Sequence, residues 1–229
     1  SPVAVSSLSG VLGLSSGLGN SCAITAASEA WCWGDNAKGQ LGNGTTNPSS
    51  VPVKVSGLSD ATDVAVSLGG HACATRLDGS VRCWGRNDQG QLGVGDGQLT
   101  DSLAPVAVAG LTTAETVSTG NLSTCALLSD DSIACWGDNA DGQLGDGTTD
   151  DSDTPVPVSG VMHASQVSVG GAFACALVGV TTGVGGSVIC WGDNSIGQLG
   201  NGTNTDSSTP VAVSGISTAV AVAAGHRSA

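Results

Sequence analysis

Residues Cys32–Gly42 read CWGDNAKGQLG, and the phrase returns as CWGRNDQGQLG at Cys83–Gly93, CWGDNADGQLG at Cys135–Gly145 and CWGDNSIGQLG at Cys190–Gly200. Its tryptophans, Trp33, Trp84, Trp136 and Trp191, stand 51, 52 and 55 residues apart. A period of this size marks repeated supersecondary units that bury their apolar faces only by stacking on one another. A second marker, Pro-Val-x-Val, recurs at Pro2–Val5, Pro52–Val55, Pro105–Val108, Pro155–Val158 and Pro210–Val213. Between one such marker and the next tryptophan lie three more short apolar runs, in the second unit Asp63–Ser67, His71–Arg76 and Ser80–Trp84. Alternating Val and Ala bounded by Gly and Asp predicts strands, and no stretch offers a capped helical face. Four short strands per unit predict a propeller blade.

The WGxNxxGQLG phrase, the glycine-rich Leu68-Gly69-Gly70-His71 approach and the Pro-Val-x-Val strand resemble the regulator of chromosome condensation (alpha-tubulin-suppressor-like) repeat family, in its bacterial secreted type. The likeness covers essentially the whole chain. It implies an all-β fold, a β-propeller of four-stranded antiparallel blades and about seven blades in the complete ring. Residues 1–229 then form part of a single propeller, with repeats near 6–55, 56–108, 109–158 and 159–213 and a partial repeat at 214–229. Four complete blades are expected, flanked by the lone strands Pro2–Val5 and Ala219–Ala223. The chemistry of the phrase is readable without the name. A tryptophan fills the wedge between blades, and the glycines allow a loop too close-packed for a Cβ.

Eight cysteines fall into four local pairs, Cys22/Cys32, Cys73/Cys83, Cys125/Cys135 and Cys175/Cys190. In the second unit the hairpin centre falls at Asp78, so the paired cysteines oppose each other directly across two antiparallel strands. The pairing survives in the fourth unit, where Gly179–Gly186 is expected to lengthen the hairpin loop. This argues for disulfides over buried free thiols, and so for an extracellular, cell-surface or periplasmic setting. No CxxC zinc spacing occurs. The chain opens without Met or a signal peptide, which we read as a processed or internal start.

The formal net charge of −13 and a pI near 4.1 oppose nucleic-acid binding, which needs cations to displace counterions from phosphate. No apolar run is long enough to predict membrane insertion. The three histidines, His71, His163 and His226, sit at different repeat positions, and no nucleophile–base arrangement is visible, so no enzyme is expected. Asp35, Asp138 and Asp193 of the GDN turns give way to Arg86 in the second unit, which suits turn formers better than metal ligands.

The positions that vary are the candidates for binding. Trp31, whose equivalents are Arg82, Ala134 and Ile189, is either an exposed anchor or packed on a terminal blade. Asp150, Asp151 and Asp153 lie in an acidic loop that is either solvated or a weak calcium site; no other cofactor is expected. Asn43 and Asn201 head equivalent Asn-Gly-Thr sequons and are candidate glycosylation sites. The function expected is an extracellular, non-enzymatic scaffold that presents loops to a protein or glycan. The alternative is a structural module of a cell-surface or filamentous assembly, in which copies of the chain neighbour one another.

Overall fold

The computed structural model describes residues 4–5, 7–97 and 99–228. The first blade is β1 (Val11–Ser16), β2 (Asn20–Thr25), β3 (Ala30–Gly34) and β4 (Ser49–Lys54). The second is β5 (Ala61–Val66), β6 (His71–Arg76), β7 (Val81–Gly85) and β8 (Ser102–Ala107). The third is β9 (Ala114–Thr119), β10 (Ser123–Leu128), β11 (Ile133–Gly137) and β12 (Ser152–Pro157). The fourth is β13 (Ala164–Val169), β14 (Phe173–Thr181), β15 (Gly185–Gly192) and β16 (Ser207–Ala212). Within each blade the strands pair antiparallel in chain order, with no crossover. The Pro-Val-x-Val phrases are the outermost strands, where proline's missing N–H faces an open edge.

Two expectations are corrected at the chain ends and in the fourth hairpin. Pro2 and Val3 of the Pro2–Val5 strand lie outside the described residues, and Ala4 and Val5 are not in a strand. Ala219–Ala223 makes one isolated bridge, Ala219 to Gly186, instead of a strand. β5, β9 and β13 at the equivalent place are each held by the strand that follows, and among the described residues Ala219–Ala223 has no such neighbour. The Gly179–Gly186 insertion does not make a longer loop. It extends β14 and β15 to nine and eight residues, closed by a turn in which Val184 N donates to Thr181 O at 3.1 Å. The inserted Thr and Val are good strand formers, so the extra length is absorbed as ladder.

The other three hairpins share one short turn. Its third residue is left-handed: Ser28, Gly79 and Asp131, at φ 57°, 76° and 63°. That turn fixes the register, and the register sets the cysteines opposite each other: Cys22↔Cys32, Cys73↔Cys83, Cys125↔Cys135 and Cys175↔Cys190. All four pairs are disulfides and no cysteine is free.

The cores lie between blades. The cluster joining the first and second contains Cys22, Ile24, Cys32 and Leu41 from one side and Val64, Ala72, Ala74 and Trp84 from the other. Small Ala residues on β6 leave room for the neighbour's disulfide, so thin sheets stack closely. Side chains of the innermost strands stitch each blade to the next. Ser15 Oγ accepts from Val66 N at 2.9 Å, and Ser118 Oγ from Val169 N at 3.0 Å. The second blade has Ala65 at this place, and Asp63 Oδ2, two residues earlier, accepts from Val117 N at 3.4 Å.

Candidate functional site

Each blade sends two connections to one face: the turn between its first and second strands and the long loop between its third and fourth. The long loops begin with the repeated phrase, and hydrogen bonding explains its composition. Asn36 Oδ1 accepts from Leu41 N at 2.9 Å, while its Nδ2 donates to the carbonyls of Thr45 and Asn47, both at 2.9 Å. Asn139 and Asn194 make the same bonds in their own loops. One buried amide thus closes a whole loop. Gln40 Nε2 donates to Asp35 Oδ2 at 2.7 Å, and Gln198 Nε2 to Asp193 Oδ2 at 2.6 Å. Where Arg86 replaces that aspartate, Asp88 accepts from Gln91 instead and binds the arginine as well.

These loops carry aspartates in every blade, and their only cations are Lys38 and Arg86. Both are engaged inside the face: Lys38 Nζ lies 3.1 Å from Asp101 of the next blade, and Arg86 is paired with Asp88. The third and fourth blades have no such partner. Burial, followed by the charge of Asp151, pushes the Asp138 carboxyl above its usual range. Burial, followed by the charges of Asp193 and Asp206, raises Asp141 likewise. At the place where the first blade has Lys38, the third has Asp141 facing two more aspartates. The long loops of the third and fourth blades therefore carry aspartates with no cation among them, and the third carries the most.

The sequence-level candidates are scattered over this frame. Trp31 is half-buried near the first blade's hairpin, and its indole N–H donates to Glu29 Oε2 at 3.2 Å. Asp150 is exposed; Asp151 Oδ1 accepts from Asn139 N at 2.7 Å, and Asp153 Oδ2 accepts from Gly97 N of the neighbouring blade at 2.9 Å. Two of the three loop aspartates thus hold backbone. Among the described residues no three His, Cys, Asp or Glu side chains converge as a metal's ligands would. Asn43 Oδ1 accepts from Thr45 Oγ1 at 2.8 Å and Asn201 Oδ1 from Thr203 Oγ1 at 2.9 Å, a role Asp146 fills in the third blade.

His71 is fully buried and its Nε2 meets Thr124 Oγ1 at 2.9 Å. Burial first, and the nearby Arg86 second, push its pKa down to about 3. It is therefore neutral, sealed from solvent, and not placed to act on a ligand.

The four repeat tryptophans divide three to one. Trp84, Trp136 and Trp191 are fully buried, and each donates its indole N–H to a carbonyl of the preceding blade: Gln40 at 2.9 Å, Gln91 at 3.0 Å and Gln143 at 3.0 Å. Each ring lies on the last glycine of the preceding phrase, so a Cβ at Gly42, Gly93 or Gly145 would come within 2.7–2.9 Å of it. Trp33, in the first described blade, departs from the expectation of four equivalent wedges: it is only half-buried among the described residues.

The regulator of chromosome condensation (RCC1) repeat model matches residues 28–75, 78–127, 130–177 and 185–229. Human E3 ubiquitin-protein ligase HERC2 is 32% identical over 132 residues, which is 56% of this chain and 3% of that protein. Arabidopsis thaliana ultraviolet-B receptor UVR8 is 32% identical over 118 residues, covering 50% of this chain and 26% of that one. The chain therefore spans a small part of these relatives' lengths. Among solved structures, human WBSCR16 superposes with TM-score 0.81 at 25% identity, covering 94% of this chain and 56% of that one. Prp20p of Saccharomyces cerevisiae, described with its binding to Gsp1p and histones, gives TM-score 0.81 at 19% identity, over 96% of this chain and 56% of that one. Repeat phrase, blade topology and these likenesses agree: the chain belongs to the regulator of chromosome condensation repeat family and has its β-propeller fold.

Proposed function

We propose that this chain is a non-enzymatic binding scaffold of an oxidising, extracellular setting, and that it takes a basic protein surface on the face built by loops 138–151 and 193–206. The observation that carries this reading is the crowding of Asp138, Asp141, Asp151, Asp193 and Asp206, whose mutual repulsion adds to burial in raising two of the carboxyls. A rigid, self-bonded loop frame holds these charges in place, so a cationic partner meets a preformed field. Bridging of all eight cysteines removes the thiol nucleophile and suits an oxidising compartment.

The test is titration of the intact, oxidised chain with a synthetic lysine-rich peptide at several salt concentrations. Expected is saturable binding that weakens as salt rises and drops at least about tenfold in the Asp141→Asn/Asp206→Asn variant. Binding indifferent to salt and to this variant, as a neutral glycan would give, removes the basic-partner reading. Free thiols found in the denatured, unreduced protein remove the extracellular one.

A further inference from the structure

One place in the repeat opens each blade's second strand, and it is held by Asn20, His71, Ser123 and Phe173. The three polar residues are at most 5% exposed, and each leaves a side-chain atom without a hydrogen-bond partner: Asn20 Nδ2, His71 Nδ1 and Ser123 Oγ. An unbonded polar atom in the interior is costly, so each calls for a partner. Asn20 lines a cleft of about 190 Å³ on the loop face, at the joint between the first and second blades, with Leu18, Asp35, Lys38, Gln40 and Leu68. At the second joint His71 spends its Nε2 on Thr124, and Arg86 stands where the first blade has Asp35.

The lining of the cleft is mixed in charge and polarity. Asp35 Oδ1 accepts from the amides of Asn36 at 2.8 Å and Ala37 at 3.3 Å, and its Oδ2 accepts from Gln40 Nε2 at 2.7 Å. A carboxylate offers about four lone-pair sites, so one on Oδ2 remains open. Lys38 Nζ lies 3.1 Å from Asp101, which answers its charge. Leu18, 84% exposed, and Leu68 add apolar surface. An anion entering here would meet Asp35 and a cation would meet Lys38, so neither has a site free of like charge.

We propose that this cleft binds one neutral hexose unit, free or at the end of a glycan. A hexose brings several hydroxyls, each both donor and acceptor, on a ring whose C–H groups are apolar. One sugar oxygen accepts from Asn20 Nδ2 and supplies the partner that this buried amide lacks. One hydroxyl donates to the open lone pair of Asp35, and the C–H groups lie against Leu18 and Leu68. A few placed polar groups in an apolar wall are what fix a small ligand's orientation. The second joint cannot take the same ligand in the same way, because an arginine and a histidine replace the aspartate and the asparagine.

This inference goes beyond the basic-partner reading and fails separately from it, since neither Asp141 nor Asp206 lines the cleft. The experiment is an NMR titration of the oxidised, ¹⁵N-labelled 229-residue chain with D-glucose, D-galactose and D-mannose, each free and as its methyl glycoside. Expected is a saturable, salt-independent shift of the Asn20 side-chain amide and the Gly70 backbone amide with at least one of them. Tighter binding of the free sugar identifies a free hexose as the ligand; equal binding of the glycoside identifies a glycan end. Asn20→Ser and Leu18→Asp should each weaken binding about fivefold, the scale of one hydrogen bond. Both variants fold, as circular dichroism checks: serine is what the third blade has as Ser123, and Leu18 is exposed. No saturable shift with any of the sugars up to about 50 mM overturns the proposal, and so do shifts that both substitutions leave unchanged.

Discussion

Trp136 and Trp33 hold the same place in the same repeated phrase, yet the first is fully buried and the second is half-buried. The difference lies in the blade before. Trp136 rests on Gly93 and donates to the Gln91 carbonyl; among the described residues Trp33 has neither partner. The phrase thus encodes a joint between neighbours, its glycine and glutamine serving one side and its tryptophan the other.

The widest gap is expected on truncating the two rings. Trp136→Ala should destabilise by about 3–5 kcal/mol, the usual range for a buried aromatic that leaves a cavity. Trp33→Ala should cost under about 1 kcal/mol, because little of its surroundings loses contact. Urea unfolding of the two variants, side by side at low concentration, reads the difference. Equal costs would mean that the joint is not where the ring's stabilisation arises.

The disulfides offer the same contrast at smaller scale. Cys125–Cys135 is enclosed by the joint that Trp191 closes, whereas Cys190 lines an open cavity. Replacing either pair by alanines removes a short-loop constraint of about 3 kcal/mol. The enclosed pair should cost more, by roughly 1 kcal/mol, since its loss also leaves a void that water cannot fill. Denaturation midpoints under non-reducing conditions decide it.

His71 tests a joint by pH. Its folded pKa of about 3 lies below the ordinary histidine value of 6.5, so the unfolded chain takes up a proton that the folded chain refuses. The stability this neutral residue supports is complete above pH 6.5 and is lost as pH falls toward 3. Between neutral pH and pH 4.5 the loss should be on the order of 2–3 kcal/mol, at about 1.4 kcal/mol per pH unit. His71→Asn, which places there the residue that the first blade has as Asn20, should flatten this slope. An unchanged slope would assign the acid sensitivity to carboxylates.

Much of this frame is legible in the sequence because it is local. The fixed period marks the blades, and the ten-residue cysteine spacing implies a register in which each pair is opposed. What escapes reading depends on partners far along the chain. Asp153 holds Gly97 across 56 residues and Lys38 meets Asp101 across 63, and neither pair shares a motif. The Gly179–Gly186 insertion misleads because glycines suggest a loop, while its Thr and Val residues extend the ladder. The crowding of carboxylates on the loop face is invisible for a related reason: each loop is ordinary alone, and only stacking sets Asp141 against Asp193 and Asp206.

The smallest expected effect concerns the inner strands, where the blades differ by one substitution. Ser15 and Ser118 stitch their neighbours with a hydroxyl; the second blade has Ala65 there and uses the Asp63 carboxylate. Burial pushes the Asp63 pKa above its usual value, against the pull of the Val117 and Val64 amides. A raised carboxyl pKa means that its contribution is intact below the unfolded value and is lost as pH rises through the folded one. At neutral pH the charge is therefore a burden that a hydroxyl would not carry. The double variant Asp63→Ala/Ala65→Ser restores the other blades' stitch, offering the introduced hydroxyl to the third blade's inner strand. It should gain up to about 1 kcal/mol at pH 7, the scale of one neutral hydrogen bond, and less at pH 4. A loss at pH 7 would show that the carboxylate holds the third blade better than a hydroxyl can.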